Sequence, residues 1–228
     1  MVHRALELFY APSDLPRSTE RMHACVNEML VEYRNEPDVK YLQLDDSAYD
    51  ELGSECNQLA SAVFEMEDPE SIEPIGLELN VQAEIGSVTL RGIIDRLERN
   101  AAGKLVITDY KTGRAPGPAF EKKALGGLNL YSLMCHRTFG EIADEIRLMY
   151  VKSGQTITAR PNEQSLKFAE NRVTAVHQAV ARACETNDFV AKKSALCKFC
   201  AFQKWCPVFG GDPERALTEA PTRPSTGQ

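Results

Sequence analysis

The chain has 228 residues, 43% of them hydrophobic, with a net charge of -7 at neutral pH and a pI near 5.3. That length allows one sizeable buried core, and the acidic balance excludes a protein that coats nucleic acid through bulk positive charge, so any DNA contact must be local. No stretch reaches the roughly 20 apolar residues of a membrane helix, and the opening MVHRALELFY lacks the sections of a signal peptide.

A cytoplasmic protein with no membrane partner is therefore expected. Seven cysteines are an odd number for a disulfide framework, and in a reducing compartment clustered cysteines bind metal or do redox chemistry.

Val2, Ala5, Leu6 and Phe9 recur at helical spacing, as do Met22, Val26, Met29, Leu30 and Tyr33, then Tyr49, Leu52, Leu59, Val63 and Phe64. Residues 1–67 therefore read as helical. Beyond Pro69 and Pro74 the pattern changes to alternation and β-branched runs, which predicts strands over about 77–85, 88–97 and 104–111. Asn100-Ala101-Ala102-Gly103 has hairpin-turn chemistry and makes the last two strands antiparallel neighbours.

A helix follows over about 118–139, then strands near 146–152 and 156–159 and a long helix over 163–185. This order describes an α/β fold, a mixed central sheet flanked by helices. Residues 1–190 form the main domain, with its core over 73–190, and a cysteine-rich segment spans 191–210. The last stretch, 211–228, is rich in Pro, Thr, Ser and Gly and is expected to be disordered.

Strand alternation puts Asp109 and Lys111 on one face. With the turn centred near residue 102, Asp95 falls opposite position 109, so two carboxylates meet across one rung. Such a pair repels unless a cation lies between, and hard oxygen ligands suit magnesium or manganese. A lysine beside them would orient and help deprotonate a water while the metal stabilises charge on a phosphate. An ordinary solvated strand face is the alternative for Asp109 and Lys111 alone. Asp95, the hairpin and Thr112-Gly113-Arg114 argue against it.

The runs Leu90-Arg91-Gly92-Ile93-Ile94-Asp95-Arg96-Leu97 and Val106-Ile107-Thr108-Asp109-Tyr110-Lys111-Thr112-Gly113 resemble the RecB-type nuclease domain of the PD-(D/E)XK superfamily. That group includes nuclease domains of recombination helicase-nucleases, CRISPR-associated adaptation nucleases and stand-alone RecB family exonucleases. The resemblance implies a restriction-endonuclease-like fold and a metal-dependent DNA exonuclease of repair or recombination, acting on DNA ends or single strands, with a helicase or other repair protein as a possible partner.

It implies Asp95, Asp109 and Lys111 as catalytic residues, with Mg2+ or Mn2+ held by Asp95, Asp109, the Tyr110 backbone carbonyl and His3. Val2-His3-Arg4-Ala5-Leu6-Glu7 looks like the second half of the family's G-x-x-x-H motif; without that likeness His3 reads as a surface residue. Glu78 lies where relatives often carry a glutamate, and reads equally well as a solvated strand residue.

Tyr131 matches the tyrosine of the family's Gln-x-x-x-Tyr pattern, but the glutamine position falls on Gly127. Two adjacent glycines, Gly126 and Gly127, weaken a helix by roughly 1 kcal/mol each relative to alanine. Arg114, Lys122 and Lys123 supply local positive charge that contacts phosphates or forms a solvated face. The departure at Gly127 supports a second expectation, a catalytically weak or inactive DNA-binding scaffold.

Cys197, Cys200 and Cys206 form a C-x2-C-x5-C arrangement. Zinc would need a fourth donor and an iron-sulfur cluster a fourth cysteine, and a zinc-ribbon-like interaction protein stays open as a third class. The resemblance implies a 4Fe-4S cluster of structural role whose fourth ligand lies ahead of the histidine motif, outside this sequence, and a protein that starts earlier. Cys25, Cys56, Cys135 and Cys184 lie in helical patterns and are expected to be small buried side chains.

Overall fold

The computed structural model describes residues 1–220, with the side chains of 118–124 outside that description. Two compact units divide the chain, Met1–Ala175 and Val176–Gln228. The first opens with α1 (Val2–Tyr10), α2 (Thr19–Tyr33), α3 (Pro37–Tyr41), α4 (Asp46–Ser61) and α5 (Val63–Met66). Strands β1 (Pro74–Ile85), β2 (Val88–Arg99) and β3 (Leu105–Lys111) follow, then α6 (Pro118–Phe139), β4 (Glu145–Tyr150), β5 (Gln155–Ala159) and α7 (Glu163–Thr186).

Local chemistry sets these boundaries. Ser18 and Asp45 cap α2 and α4 by accepting from the backbone of Arg21 and Ala48. Helix α6 opens on Pro118 and ends at Gly140, which adopts the left-handed conformation at φ 75°. The expected third helical pattern is broken at Ala62 into α4 and α5.

The five strands lie in chain order, and every neighbouring pair is antiparallel except β3 and β4. That parallel pair requires a crossover, and α6 provides it. The mixed sheet separates two cores. On one side Leu6, Phe9, Met22 and Met29 pack with Tyr110, Met149 and Val151; on the other Leu133, Met134 and Leu166 pack with Leu97, Ile107 and Leu148. Strand β3 is thus buried from Leu105 to Tyr110 on both faces, as central strands with a parallel neighbour are.

The β2–β3 loop is closed by Asn100, whose side-chain oxygen accepts from the backbone N–H groups of Ala102 and Lys104, each at 3.0 Å. The resulting register sets Arg96 opposite Thr108, the last rung before Asp95 and Asp109.

The β1–β2 ladder changes face beside this point. Leu77 packs toward the N-terminal helices, whereas Leu79, two residues on, packs toward α6; regular alternation would keep them together. Between them Glu78 adopts φ 41°, the left-handed region that side chains seldom enter. Glu78 lies between the Leu77–Arg96 and Leu79–Ile94 rungs, beside Asp95, so the kink falls at a candidate site residue, where strained backbone concentrates.

In the second unit, 3-10 turns run through Ala195–Phe199, Gln203–Trp205 and Pro207–Phe209; Cys197 lies in the first, and Cys200 and Cys206 directly follow the first and second. The expected disorder after residue 211 is corrected over part of its length, because α8 (Pro213–Glu219) forms there. Asp212 caps it, Pro213 opens it, and Glu219 accepts a 3.0 Å hydrogen bond from the indole N–H of Trp205. Residues 221–228 lie outside the described residues. The boundary between units falls inside α7, whose buried positions end with Leu166 and Ala169.

Candidate active site

Asp95, on β2 beside the β1 kink, accepts a 2.8 Å hydrogen bond from the Tyr110 backbone N–H on β3. His3 reaches the same place from α1. Its Nε2 lies 2.9 Å from the Tyr110 carbonyl oxygen, its acceptor, and 3.2 Å from Asp95 Oδ2. The buried apolar face of α1 sets this reach, since Val2, Ala5, Leu6 and Phe9 anchor the helix against the sheet. The hydrogen bond with Asp95 outweighs burial and raises the pKa of His3. Glu78 sits within electrostatic range of both, and burial, then the Asp95 charge, push its carboxyl up.

Asp109 and Lys111 lie on the α6 face, two residues apart. The Lys111 ammonium forms an ion pair with Asp109 Oδ2. The aspartate side chain is 10% exposed and the lysine 43%, so the carboxylate is held in the floor while the ammonium reaches solvent. Burial raises the Asp109 pKa against the pull of Lys111, and the Asp95 charge adds to the rise. Burial lowers the Lys111 pKa, but Asp109, Asp95 and Tyr131 together outweigh it and the net shift is upward. Among the described residues only Lys111 approaches Asp109 Oδ2, and no other donor satisfies that buried oxygen. Tyr131, from α6, lies within electrostatic range of Asp95, Asp109 and Lys111.

A buried ionic hub braces the site from behind. Arg96 is fully buried; its two terminal nitrogens grip Glu67 at 2.6 and 2.7 Å, and its Nε pairs with Glu98 at 2.6 Å. It also donates to the Tyr110 hydroxyl at 2.6 Å. Tyr110 therefore links Arg96 on one face of the sheet to Asp95 and His3, which its peptide groups hold. Sequence reasoning missed this arrangement: the only signal was an arginine beside Asp95 in an apolar strand, and its partner Glu67 is distant in sequence.

The other expected residues are more dispersed. Arg114 is exposed on the loop after β3. The side chains of Lys122 and Lys123, on α6, lie outside the described structure. Gly127 has nothing within 4 Å of where a Cβ would stand, whereas a Cβ on Gly92 would come within 2.9 Å of the Tyr131 ring. A glycine inside a strand signals such a close approach, and Gly92 was legible on that rule.

Cys197, Cys200 and Cys206 are free thiols on successive turns, Cys200 exposed and the others partly buried. Cys25, Cys56 and Cys135 are buried, and burial pushes the Cys135 thiol up to about 12. Cys184 corrects the expectation of burial: it is exposed, on the part of α7 beyond the last buried position. Among the described residues no group of three or more His, Cys, Asp or Glu is already drawn together as a metal cage.

The five-stranded mixed sheet flanked by helices is consistent with a nuclease-like fold. The chain matches the PD-(D/E)XK nuclease superfamily over residues 1–207 and belongs to it. Among curated proteins it is similar to the Gene 69 protein of Mycobacterium phage L5, at 27% identity over 136 residues, 58% of this chain and 44% of that protein. The Gene 69 protein of Mycobacterium phage D29 is 28% identical over 136 residues, 58% of this chain and 48% of its own.

The matched part thus spans less than half the length of these relatives. The solved structure described as "Crystal structure of SSO0001" aligns over 91% of this chain and 94% of its own, at a TM-score of 0.42 and 15% identity, too distant to carry a conclusion. No helix among the described residues is long and apolar enough to cross a membrane.

Proposed function

We propose that this chain is a divalent-metal-dependent DNA nuclease of the RecB type, an exonuclease acting on DNA ends or single strands in repair or recombination. The observation that carries this is the convergence of His3 Nε2 on both the Tyr110 carbonyl oxygen, at 2.9 Å, and Asp95 Oδ2, at 3.2 Å, beside Asp109 and Lys111. Carboxylate and carbonyl oxygens with an imidazole suit Mg2+ or Mn2+, the metals nucleases of this superfamily usually use. The under-satisfied buried oxygen of Asp109 fits the same donor set.

His3, Asp95, Asp109 and the Tyr110 carbonyl would hold the ion, with Glu78 near enough to contribute. When bound, the metal supplies Lewis-acid stabilisation of phosphate charge and a more acidic water. The chain's own residues do the rest. Lys111 presents an ammonium at the solvent edge that donates to a water or to a phosphate oxygen gaining charge, and the Tyr110 peptide keeps Asp95 and His3 in position.

The test is degradation of end-labelled linear DNA, single-stranded and duplex, by the full chain. Degradation in Mg2+ or Mn2+ that stops with EDTA, releasing mononucleotides first, is expected. Internal fragments as first products would refute the exonuclease assignment. Intact DNA with either metal would instead favour a binding scaffold, the reading that Gly127 supports.

For Cys197, Cys200 and Cys206 we propose three ligands of a 4Fe-4S cluster of structural role. The C-x2-C-x5-C spacing and three free thiols support this. Anaerobically purified protein should be brown and contain iron and sulfide. Colourless protein with bound zinc would make this a zinc site.

A further inference from the structure

Beside Asp109 the first unit contains a cavity of about 310 Å³, with Asp109, Lys111, Arg91, Gly92, Gly127 and Tyr131 among its walls. Leucines and a methionine line the remainder. Its size is at the low end of the roughly 300–1,000 Å³ typical of small-ligand sites.

Two glycines shape it in different ways. Gly92 on β2 allows the Tyr131 ring to lie against the strand, where a Cβ would meet it at 2.9 Å and Met134 at 2.8 Å. Gly127 stands one helical turn from Tyr131, on the same face of α6, and the space where its side chain would extend is open. A larger residue there would fill the cavity; glycine keeps it vacant at a cost to the helix.

The walls combine the Asp109 carboxylate and the Lys111 ammonium with the Tyr131 ring and apolar side chains. A ligand matching this chemistry carries a phosphate beside Asp109 and Lys111 and a flat ring able to stack on tyrosine.

We infer that the cavity is a nucleobase pocket: it takes the unpaired base next to the phosphate being cleaved and stacks it on Tyr131. This rests on the nuclease reading and adds to it the group that recognises the base. A base inside a duplex is stacked and paired and must be extruded at a cost, so the substrate is a single strand or a frayed end.

The test compares single-stranded oligonucleotides that are intact or carry an abasic residue at the 5′ or 3′ terminus. Binding is read by fluorescence anisotropy in Ca2+ and cleavage in Mg2+, for the full wild-type chain, Gly127→Phe and Tyr131→Leu. Base–aromatic stacking contributes roughly a factor of ten or more per base, so the wild type should bind the intact strand about tenfold more tightly than the strand abasic at one terminus. Both variants should lose that preference while still binding phosphate backbone. Gly127→Ala, which should leave room for the base, is the folding control and should keep it.

Equal affinity of the wild type for intact and abasic strands, or undiminished preference in Gly127→Phe and Tyr131→Leu, overturns the pocket even if cleavage proceeds normally. Base-dependent binding without cleavage upholds the pocket and removes the nuclease reading instead.

Discussion

Alanine at Arg96 should remove about 3–5 kcal/mol of folding stability, the cost of stranding a buried charge without its partner. Typical domains hold only roughly 5–15 kcal/mol in total, so the variant should sit near the edge of folding. The cause is specific. Arg96 is fully buried, satisfies both oxygens of Glu67, pairs with Glu98, and stacks over the rings of Tyr10 and Tyr110 at 4.6 and 5.5 Å. Its removal leaves two buried carboxylates facing a cavity.

Glu67 reports on the same hub through pH. Burial pushes its carboxyl up, but Arg96 and Tyr10 outweigh burial and the net shift is downward. Its folded pKa lies below the unfolded one, so its contribution is complete above the ordinary value of about 4.3 and is lost as pH falls through the depressed folded value. Glu98, pushed up by burial despite Arg96, works in the opposite direction. Urea denaturation of the wild type and Arg96→Ala checks the main prediction, and a difference under about 1 kcal/mol, the scale of an exposed ion pair, would contradict it.

The arrangement that positions the site was legible to the extent that it is local. The alternation Thr108-Asp109-Tyr110-Lys111 gives the faces of β3, and Asn100 to Gly103 gives the turn, which together yield the register that sets Arg96 opposite Thr108. The crossover between β3 and β4 likewise follows from a helical pattern between two strand patterns.

Features that depend on distant partners were not legible. Nothing near Glu78 signals that its φ is 41° and that the ladder changes face there; a kink at a non-glycine residue is imposed by the packing of Leu77 and Leu79 into different cores. Arg96 looked like the basic neighbour of a catalytic aspartate, because Glu67 and Tyr10, which bury it, come from the N-terminal helices. In α8 the composition pointed to disorder, yet one cap at Asp212 and one contact from Trp205 to Glu219 accompany a short helix.

Separate substitutions at Asp109 and Lys111 should divide metal binding from chemistry. Asp109 is buried in the floor and supplies donor oxygens, so Asp109→Ala should weaken Mn2+ binding and abolish cleavage together. Lys111 supplies an ammonium at the solvent edge rather than a ligand atom. Lys111→Ala should therefore keep Mn2+ affinity, measured by calorimetry, and lose about 10²–10³ in cleavage rate, the loss typical of removing one preorganised donor to developing charge. Equal loss of metal affinity in both variants would make Lys111 a structural partner of Asp109. Full activity in Lys111→Ala would remove it from the chemistry.

The site built on Asp95, Asp109 and Lys111 is tested most directly by one side-by-side assay, the degradation of end-labelled linear single-stranded DNA in Mg2+ by the wild-type chain and by Asp109→Ala. Metal-dependent degradation by the wild type and none by a folded Asp109→Ala is the predicted result. Degradation that persists in folded Asp109→Ala, or a folded wild type that leaves the DNA intact in both Mg2+ and Mn2+, would contradict it.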